Sequence, residues 1–457
     1  MMETLVSVCP MADSMNNRAE KSTSIISNVP VKDSTADPTN LDLTGGLGGD
    51  ANVSQALPKR LGLLETLDNS HIQQRVSVPS TQWGVISPLI GENLNLRYQQ
   101  IPVRDPEEGE VIVRIAWTGI CRSDVTFSKG PYSGFPKCNH IAGHEGIGHV
   151  VKSADPSRIG RPVGIRYIGY TCGFCTYCRS NLPEQCAEQM NAPKHYNGTF
   201  QQFMTVPWSC LIPLPMWVFD SDGRISPAIY TTAMCSGAAA LKAIRTASVA
   251  VGDVVVINGI AGGIGHMAGQ IAKHVFGAKV VGVDLVWKIN SLIPDQSQSF
   301  YDRIVAAPDC KGDQMPPKFF QTLEEMCSDL RGSSADTRLA DVVINCASTD
   351  QGFAGFENIA RDGGVIVYCG VPRGELEIPI SLHNLIERQL TIRGTLMGGP
   401  EATYEVMEYI RAGRIKPITT EITLNEVPKG MQDLLGCRGI GKLVVKVNGQ
   451  LPWGEEF

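Results

Sequence analysis

Residues 254–284 constrain the fold of this chain more than any other stretch. They open with the β-branched run 254–257, which has the composition of a buried parallel strand. The glycine-rich segment 258–265 follows, and apolar residues then recur at helical spacing across 264–275. A second β-branched run occupies 279–283. Strand, turn, helix and strand in this order predict a βαβ unit, and therefore a parallel sheet covered by helices.

Further alternation of strands and helices extends this pattern towards the C-terminus. The sequence predicts a helix near 318–330, a strand over 341–346, a helix near 352–361 and a strand over 364–369. Together with residues 254–284, these elements predict an α/β fold with a doubly wound nucleotide-binding domain. A last helix near 401–412 and a strand over 442–447 are expected to return to the first folded domain, giving the boundaries 81–237, 238–396 and 397–457.

The first part of the chain differs from the rest in composition. Residues 1–80 are rich in Ser, Thr, Asn, Asp and Gly and show no sustained period of a helix or strand. Such a segment buries too little apolar surface to offset the entropy of ordering it, so a disordered extension is favoured over a small folded module.

Residues 81–237 combine short strand-like runs with many Gly and Pro, which indicates a β-rich domain.

Composition narrows the function classes and the compartment. The net charge of -6 over 457 residues provides no general attraction to nucleic acid or to an anionic membrane. No apolar run reaches the roughly 18 residues of a membrane span, and the N-terminus lacks the basic and apolar regions of a secretory signal. Many of the 14 cysteines cluster, which in a reducing compartment indicates metal binding or catalysis rather than disulfides. We therefore expect a cytoplasmic protein.

Four cysteines form one compact spacing pattern, C-x2-C-x2-C-x7-C. Two-residue gaps allow neighbouring thiolates to face one ion, and a fourth ligand in the same loop completes a tetrahedron. The pattern predicts a structural zinc site. An iron–sulfur cluster and free thiols are the other interpretations, although iron–sulfur sets often have Pro after the last cysteine, whereas here Ala187 follows. The predicted ligands are Cys172, Cys175, Cys178 and Cys186.

The glycine-rich turn predicts a dinucleotide site. Glycines between a strand and a helix allow the backbone to approach a pyrophosphate, whose charge is stabilised at the helix N-terminus. Asp284 lies 19 residues after the last of these glycines, near the spacing of about 20 at which an acidic residue binds the adenosine ribose. A carboxylate there favours NAD over NADP; the other interpretation is an aspartate that caps a helix. The glycines expected to contact the cofactor are Gly259, Gly262, Gly263 and Gly265.

A second candidate metal site lies in residues 119–145. Cys121 and His144 carry ligand types that zinc prefers, and Glu145 adds a carboxylate next to the imidazole. Asp124 is a natural hydrogen-bond partner for that imidazole, because a ligating histidine usually donates its other N–H to a carboxylate. Taken alone, such a pair is more often a buried thiol and a satisfied histidine than a metal site.

The motifs GICRSD and GHE together resemble the zinc-containing alcohol dehydrogenases of the medium-chain dehydrogenase/reductase family. The resemblance runs from about residue 95 to the C-terminus. The segment GTFQQF at 198–203 and the seven-residue glycine turn resemble the yeast-type members. The family pairs a nucleotide-binding Rossmann domain with a GroES-like catalytic domain, and its members are dimers or tetramers. The resemblance therefore implies this pair of domains, a structural zinc lobe and a homo-oligomer.

The resemblance also implies residue roles. Cys235, in the segment TAMCSGA, is the expected third ligand of a catalytic zinc beside Cys121 and His144, with Glu145 as an alternate ligand. Ser123 is the expected first proton acceptor. Thr126 stands where related enzymes have a histidine that ends the proton relay. Further expected cofactor contacts are Arg122, Lys288, Val371 and Lys442, the last in place of an arginine. The expected substrate pocket contains Tyr132, Tyr167, Val371, Leu396 and Met397.

These expectations combine into one functional prediction. The chain is expected to bind two zinc ions, one catalytic and one structural, and to interconvert a small primary or secondary alcohol and its aldehyde or ketone with NAD(H). A zinc dehydrogenase of another polyol or a specialised metabolite is one alternative. A catalytically inactive NAD(H)-binding sensor or scaffold is the other, and Thr126, Lys442 and the shortened segment 153–163 are the departures that motivate it.

Overall fold

The computed structural model describes residues 77–449 apart from 92, 131–133, 220–224, 293–299, 309–315, 333–336, 350–351, 354, 373–375 and 378–379. The disorder predicted for residues 1–80 falls almost wholly on residues 1–76, which lie outside the described residues. Within the described ranges, none of the helices combines the length and the apolar composition needed to cross a membrane.

The strands are short and fall into two groups along the chain. The first group is β1 Thr81–Leu89, β2 Arg97–Pro102, β3 Glu110–Ile120, β4 Cys138–His140, β5 Gly146–Ser153, β6 Pro162–Ile165, β7 Ile168–Tyr170, β8 Met190–Asn191, β9 Phe203–Pro207 and β10 Leu211–Pro213. The second group is β11 Val254–Asn258, β12 Lys279–Leu285, β13 Arg303–Ala307, β14 Ala340–Asn345, β15 Ala360–Tyr368, β16 Thr391–Gly394, β17 Thr419–Thr423 and β18 Lys442–Lys446.

The helices lie mainly in the second half of the described chain. They are α1 Arg122–Lys129, α2 Thr176–Arg179, α3 Ser236–Thr246, α4 Gly265–His274, α5 Val286–Asn290, α6 Pro317–Arg331, α7 Leu382–Glu387, α8 Pro400–Arg411 and α9 Val427–Leu435. A 3-10 helix over Pro227–Met234 leads into α3. Shorter 3-10 turns occupy Pro156–Arg158, Pro183–Gln185, Trp208–Cys210, Met216–Val218, Phe356–Asn358 and Leu424–Glu426.

The nucleotide-binding region is built on a six-stranded parallel sheet with the order β13-β12-β11-β14-β15-β16. This is the strand order of a doubly wound sheet, in which ligands bind where the order reverses, beside the first strand. Successive residues of β11 alternate between two cores: Val255 and Ile257 pack in one, and Val254 and Val256 pack in the other. Both faces of the sheet are therefore buried, as its β-branched sequence predicts. The α/β class is confirmed.

The other large sheet has seven strands and is drawn from both ends of the described chain. Its order is β10-β6-β5-β3-β18-β17, with β9 also pairing with β3. Strand β18 lies antiparallel to β3, with Leu443 opposite Ile120, so the C-terminal segment completes this sheet. The predicted return of the chain to the first sheet is thus observed for β17 and β18. The domain boundaries at 237/238 and 396/397 stay a prediction.

Two local predictions are wrong. The helix predicted near 352–361 is, in the described part of that stretch, a single 3-10 turn over Phe356–Asn358 followed by β15. Gly355 precedes the turn with φ of 83°, a left-handed conformation that suits glycine and is incompatible with a continuous α-helix. Conversely, the apolar run 111–116 before Cys121 predicts a strand that ends in a loop, but the residues after Cys121 form helix α1.

Candidate active site

The first of the predicted zinc ligands lies where β3 ends and α1 begins. Cys121 occupies the N-cap position of α1 in an extended conformation. Its backbone N–H donates a hydrogen bond of 2.8 Å to Oδ2 of Asp124, one turn into the helix. Because the strand is paired on both sides and the cap fixes the turn, the thiol is held in one orientation.

The second ligand is oriented by the same carboxylate. Oδ1 of Asp124 lies 2.8 Å from Nδ1 of His144 and also accepts a 3.0 Å hydrogen bond from the N–H of Gly143. Asp124 and His144 are both buried. Burial disfavours a charged imidazole, but Asp124 outweighs this effect and raises the pKa of His144 well above its ordinary value. With Nδ1 donating to Asp124, Nε2 is the nitrogen left to bind a metal.

Cys235, the third predicted ligand, lies in a different part of the chain. Cys235 follows the 3-10 helix Pro227–Met234 and immediately precedes α3, so the junction of two helices turns its thiol towards Cys121. A hydrogen bond from Cys235, followed by the charge of Lys442, lowers the pKa of Cys121 well below its ordinary value. Cys121 is thereby favoured as the thiolate that a metal requires.

These side chains converge on one point. The ligand atoms of Cys121, His144, Glu145 and Cys235 all lie within 4.8 Å of one another. Two thiolates, one imidazole and one carboxylate suit zinc, and a set of three protein ligands with a replaceable fourth is the pattern of catalytic sites. Oε2 of Glu145 is buried without a hydrogen-bond partner among the described residues, an arrangement that a cation at this point would satisfy.

Glu145 itself is held between the histidine and a lysine. Its Oε1 lies 4.0 Å from Nε2 of His144 and accepts a 2.5 Å hydrogen bond from Nζ of Lys442. Burial raises the pKa of Glu145 to about 7, against the opposing attraction of Lys442. The carboxylate packs over Gly119, where a Cβ would collide with it, which explains the glycine in the GIC sequence. Lys442, expected to contact the cofactor, thus also forms a buried ion pair at the zinc ligands.

Replacing Lys442 with methionine is expected to lower the free energy of unfolding by about 3 kcal/mol, because one partner of a buried ion pair would remain without a countercharge. Lys446→Met is the matched control, since Lys446 is exposed at the end of the same strand. Denaturant titration of both variants measures the difference. Equal midpoints for the two variants would show that the Lys442–Glu145 pair does not stabilise the fold.

The four-cysteine lobe forms the second cluster. Sγ of Cys172 lies 3.9 Å from that of Cys178 and 3.6 Å from that of Cys186. The ligand atoms of these cysteines and Cys175 all lie within 4.8 Å of one another. Backbone N–H groups of Cys172 and Cys175 point at sulfur atoms at 3.4 Å, which favours charged thiolates. This closed set of four sulfurs fits a tetrahedral structural zinc.

The glycine turn connects β11 to α4, as predicted. Gly259 has φ of 79°, and a Cβ there would lie 3.1 Å from the backbone of Cys346 and Ala347. Gly265 is also predicted to contact the cofactor, and this contact stays a prediction. A Cβ on it would overlap the carbonyl oxygen of Gly259, so this glycine permits close packing of the helix on the turn and does not line the cavity.

Asp284 ends β12 beside the glycine turn. Its Oδ2 accepts a 2.8 Å hydrogen bond from the N–H of Ala261, and its Oδ1 accepts one of the same length from Leu285. The Lys288 ammonium lies 3.6 Å from Oδ1. The carboxylate therefore fixes the turn to the second strand, and it retains lone pairs for a further donor. These contacts of Asp284 extend beyond those of a residue that only caps a helix.

A cavity of about 470 Å³ joins the predicted zinc ligands to the glycine turn. Its wall includes Cys121, His144 and Cys235, the three residues predicted to hold a catalytic zinc. The other predicted site residues that line it are Arg122, Ser123, Tyr167, Gly259, Gly262, Gly263, Asp284, Lys288, Val371, Leu396, Met397 and Lys442. Asp124 and Glu145 lie behind this wall, and Tyr132 lies outside the described residues. The structure thus brings most of the predicted residues to one cavity, while their individual roles stay predictions.

Two aromatic residues of the cavity were missed in the sequence. Phe127 stacks on Phe135 at 4.8 Å and on Tyr167 at 5.3 Å, measured between ring centroids. Tyr167 in turn meets the edge of His144 at 5.7 Å. Had α1 been predicted, Phe127 would have been found, since Ser123, Thr126 and Phe127 share one face at positions i, i+3 and i+4. These rings form an apolar wall next to the zinc ligands.

Family models match two separate parts of the chain. The alcohol dehydrogenase GroES-like domain matches residues 107–216, and the zinc-binding dehydrogenase domain matches residues 320–412. The first match covers β3, α1, the GHE motif and the four-cysteine lobe. The second covers the later strands of the parallel sheet. The GroES-like fold expected for the first domain is confirmed by this match.

Known proteins are similar to this chain in sequence over most of its length. Alcohol dehydrogenase 1 of Emericella nidulans is 27% identical over 377 residues, which are 81% of this chain and 99% of that protein. An alcohol dehydrogenase of Geobacillus stearothermophilus is 26% identical over 344 residues, or 75% and 92% of the two chains.

Solved structures extend the comparison. An NAD-dependent alcohol dehydrogenase superposes with a TM-score of 0.66 at 22% identity, covering 80% of this chain and all of that one. Acetophenone reductase of Geotrichum candidum in complex with NAD superposes with 0.63 at 21% identity, covering 81% and 98%. Both superpositions show the same two-sheet fold. Motifs, site geometry, family models and relatives together support a zinc-type alcohol dehydrogenase of the medium-chain dehydrogenase/reductase family.

Proposed function

We propose that this protein is a zinc- and NAD-dependent alcohol dehydrogenase that interconverts a small primary or secondary alcohol and its aldehyde or ketone. One observation supports this function above the others. A single cavity is lined at one end by Cys121, His144 and Cys235 and at the other by the glycine turn and Asp284. The same cavity would therefore place a metal held by the first set of residues next to a dinucleotide held by the second.

The roles of the ligands follow from their surroundings. Cys121, His144 and Cys235 hold the catalytic ion, and Asp124 fixes both the Cys121 turn and the His144 ring. Zinc in this position supplies a Lewis acid that lowers the pKa of an alcohol. Glu145 is the alternate ligand, and its Oε1 oxygen accepts a hydrogen bond from Lys442.

Proton transfer is assigned to hydroxyl groups of α1. Ser123 lines the cavity with its Oγ at 3.7 Å from Sγ of Cys121, and it accepts the alcohol proton. Thr126, one turn later on the same face, also lines the cavity. A threonine hydroxyl can pass a proton on, but it does not hold an additional proton at neutral pH. Because Thr126 stands in place of a histidine, the proton leaves through water.

The test is NADH formation by the purified protein with NAD and a panel of short primary and secondary alcohols, together with the reverse reaction on the matching aldehydes and ketones. The proposal predicts turnover of several small alcohols. Tight NADH binding with no turnover on any of them would contradict the dehydrogenase and favour an NAD(H) sensor. Turnover confined to polyols would contradict the assignment of small alcohols.

Asp284 sets the cofactor preference in this proposal. Asp284→Asn keeps an oxygen that accepts from the N–H of Ala261 but removes the negative charge that repels a 2′-phosphate. We expect the ratio of kcat/KM with NAD to that with NADP to fall by about tenfold or more, since loss of a repulsive element relaxes specificity. Steady-state kinetics with both cofactors measures this ratio. An unchanged ratio would show that Asp284 does not discriminate between them.

Tyr167 limits the substrate pocket in this proposal, because its ring packs between Phe127 and His144. Tyr167→Ala is expected to raise kcat/KM for a bulky secondary alcohol relative to ethanol by roughly tenfold, the scale of a few methylene groups in an apolar pocket. Tyr170→Ala, a nearby position that does not line the cavity, is the control. If both variants leave the relative kcat/KM unchanged, Tyr167 is not a pocket residue.

The proposal also covers the cellular compartment and the oligomeric state. We place the enzyme in the cytoplasm, in keeping with the free thiols of the described cysteines. We also propose a homodimer or homotetramer, on the basis of the family resemblance. Light scattering on the purified protein tests the second statement.

A further inference from the structure

Two cysteines outside the metal clusters meet at the carboxyl edge of the parallel sheet. Cys346 follows β14 and Cys369 follows β15, and these strands pair in parallel with Asn345 opposite Tyr368. Each strand is therefore followed directly by a cysteine, and the two cysteines face each other. Their Sγ atoms are 3.3 Å apart. The sequence motifs and the proposed reaction use neither thiol.

The backbone geometry at this point suits a disulfide. Neighbouring strands lie about 4.8 Å apart, within the range of roughly 4.4–6.8 Å between Cα atoms that a disulfide spans. The sulfur atoms need to approach each other from 3.3 Å to the bond length of about 2.05 Å. Rotation of the side chains with a small movement of the strand ends achieves this approach.

The pair also lines the cavity that joins the zinc ligands to the glycine turn. Two glycines pack directly on the Cys346–Ala347 backbone. A Cβ on Gly259 would lie 3.1 Å from it, and a Cβ on Gly370, which follows Cys369, would overlap Ala347 O. The backbone at Cys346 therefore has no free space on either side. A movement of Cys346 towards Cys369 would change the packing of its backbone against Gly259.

We propose that Cys346 and Cys369 form a reversible oxidation site, at which a hydroperoxide closes a disulfide that weakens dinucleotide binding in the adjoining cavity. The effect on binding rests on the proposed function, because it assumes that the cavity holds NAD(H). The cross-link itself does not depend on that assumption. Both thiols are half-buried, and the cavity provides a small peroxide with a route to them.

The chemistry is balanced with hydrogen peroxide as the oxidant. The hydrogen bond with Cys369, together with burial, raises the pKa of Cys346 well above its ordinary value, so Cys369 is the first nucleophile. Its sulfur attacks one peroxide oxygen, the O–O bond breaks, and one water leaves, which forms a sulfenic acid. The Cys346 sulfur then attacks that sulfur, the S–O bond breaks, and a second water leaves with the Cys346 proton. Two thiols are oxidised by two electrons and one peroxide is reduced to two waters.

The experiment uses the zinc-loaded full-length protein. It is exposed to a small molar excess of hydrogen peroxide, free thiols are alkylated, and peptides are mapped by mass spectrometry. NADH affinity is measured by fluorescence titration before oxidation, after oxidation and after a phosphine reductant. We expect a Cys346–Cys369 cross-link and a loss of NADH affinity of about tenfold or more, because displacements of roughly 1 Å in a preorganised site are costly. The reductant should restore the affinity.

Two variants and a zinc count provide the controls. Cys369→Ala should remove the response of NADH affinity to peroxide. Cys138→Ala, on strand β4 and away from the cavity wall, should retain the response. Release of zinc without the cross-link, a cross-link with unchanged affinity, or an undiminished peroxide response in Cys369→Ala would each overturn the proposal.

Failure of the proposed function has a different signature. If the reduced wild-type protein binds no NADH at all, the dehydrogenase assignment fails, and the inferred effect on affinity fails with it. The mass spectrum still reports the cross-link in that case. Normal NADH binding and alcohol turnover without any cross-link would overturn this proposal alone.

Discussion

Replacing Cys121 with alanine is expected to lower NADH formation from alcohols by roughly three orders of magnitude or more. Cys121 is one of the ligands of the proposed catalytic site, and its thiolate is favoured by Cys235 and Lys442. Loss of a ligand empties the site, and a Lewis acid is worth several kcal/mol of transition-state stabilisation, at about 1.4 kcal/mol for each factor of ten. Steady-state kinetics on the variant measures this effect.

The zinc content of the same variant makes the prediction sharper. Cys121→Ala should retain the structural ion, because the four-cysteine lobe uses a different set of ligands. Elemental analysis is therefore expected to find one zinc per chain in place of two. Cys138→Ala is the matched control, since this cysteine lies on strand β4 outside both clusters. Undiminished turnover in Cys121→Ala would show that the proposed ligand set is not the reacting centre.

The second large effect is expected at the four-cysteine lobe. Cys175→Ala removes one of the four sulfur atoms of the predicted structural zinc site. A two-stranded sheet of β7 and β8 closes its base, and its aromatic residues Phe174 and Tyr177 are exposed. Structural zinc contributes on the order of 10–16 kcal/mol to folding such units. We expect the midpoint of thermal unfolding to fall by roughly 10 °C and limited proteolysis to cleave the lobe.

The effect should extend beyond the lobe. Glu184, within the lobe, is almost fully buried and forms a 2.6 Å ion pair with Lys242 on helix α3, which begins directly after Cys235. Unfolding of the lobe therefore removes a support of the helix that presents a catalytic ligand, so turnover should fall as well. Tyr177→Ala, an exposed position between the ligands, should leave both stability and zinc content near wild type. Equal stability of Cys175→Ala and Tyr177→Ala would contradict a structural metal.

The sequence predicted most reliably those structural features that a few neighbouring residues determine. The β-branched runs of β11 and β12 alternate between two cores, so their burial was predictable. The spacing of the four cysteines predicted their convergence, because all of them lie within one short segment of the chain. Gly259, with φ of 79°, is a position at which few other residues fit. In each case a few neighbouring residues determine the structure.

The remaining features depend on contacts between distant segments. The hydrogen bond between Lys442 and Glu145 joins residues 297 positions apart, and it exists because β18 pairs with β3. Sequence reasoning assigned Lys442 to the cofactor alone. The contact between Cys346 and Cys369 likewise follows from the register of two parallel strands, which a single sequence does not display. Helix α1 was missed because its polar sequence, Arg122–Lys129, is stabilised by the Asp124 cap and by packing on α9.

The central claim is that Cys121, His144 and Cys235 hold a zinc ion at which an alcohol reacts with NAD. The most direct test counts zinc by elemental analysis and measures NADH formation from short alcohols on the same wild-type sample. The account predicts two zinc ions per chain together with turnover. A single zinc per chain with full turnover, or two zinc ions and NADH binding with no turnover on any alcohol, would contradict it.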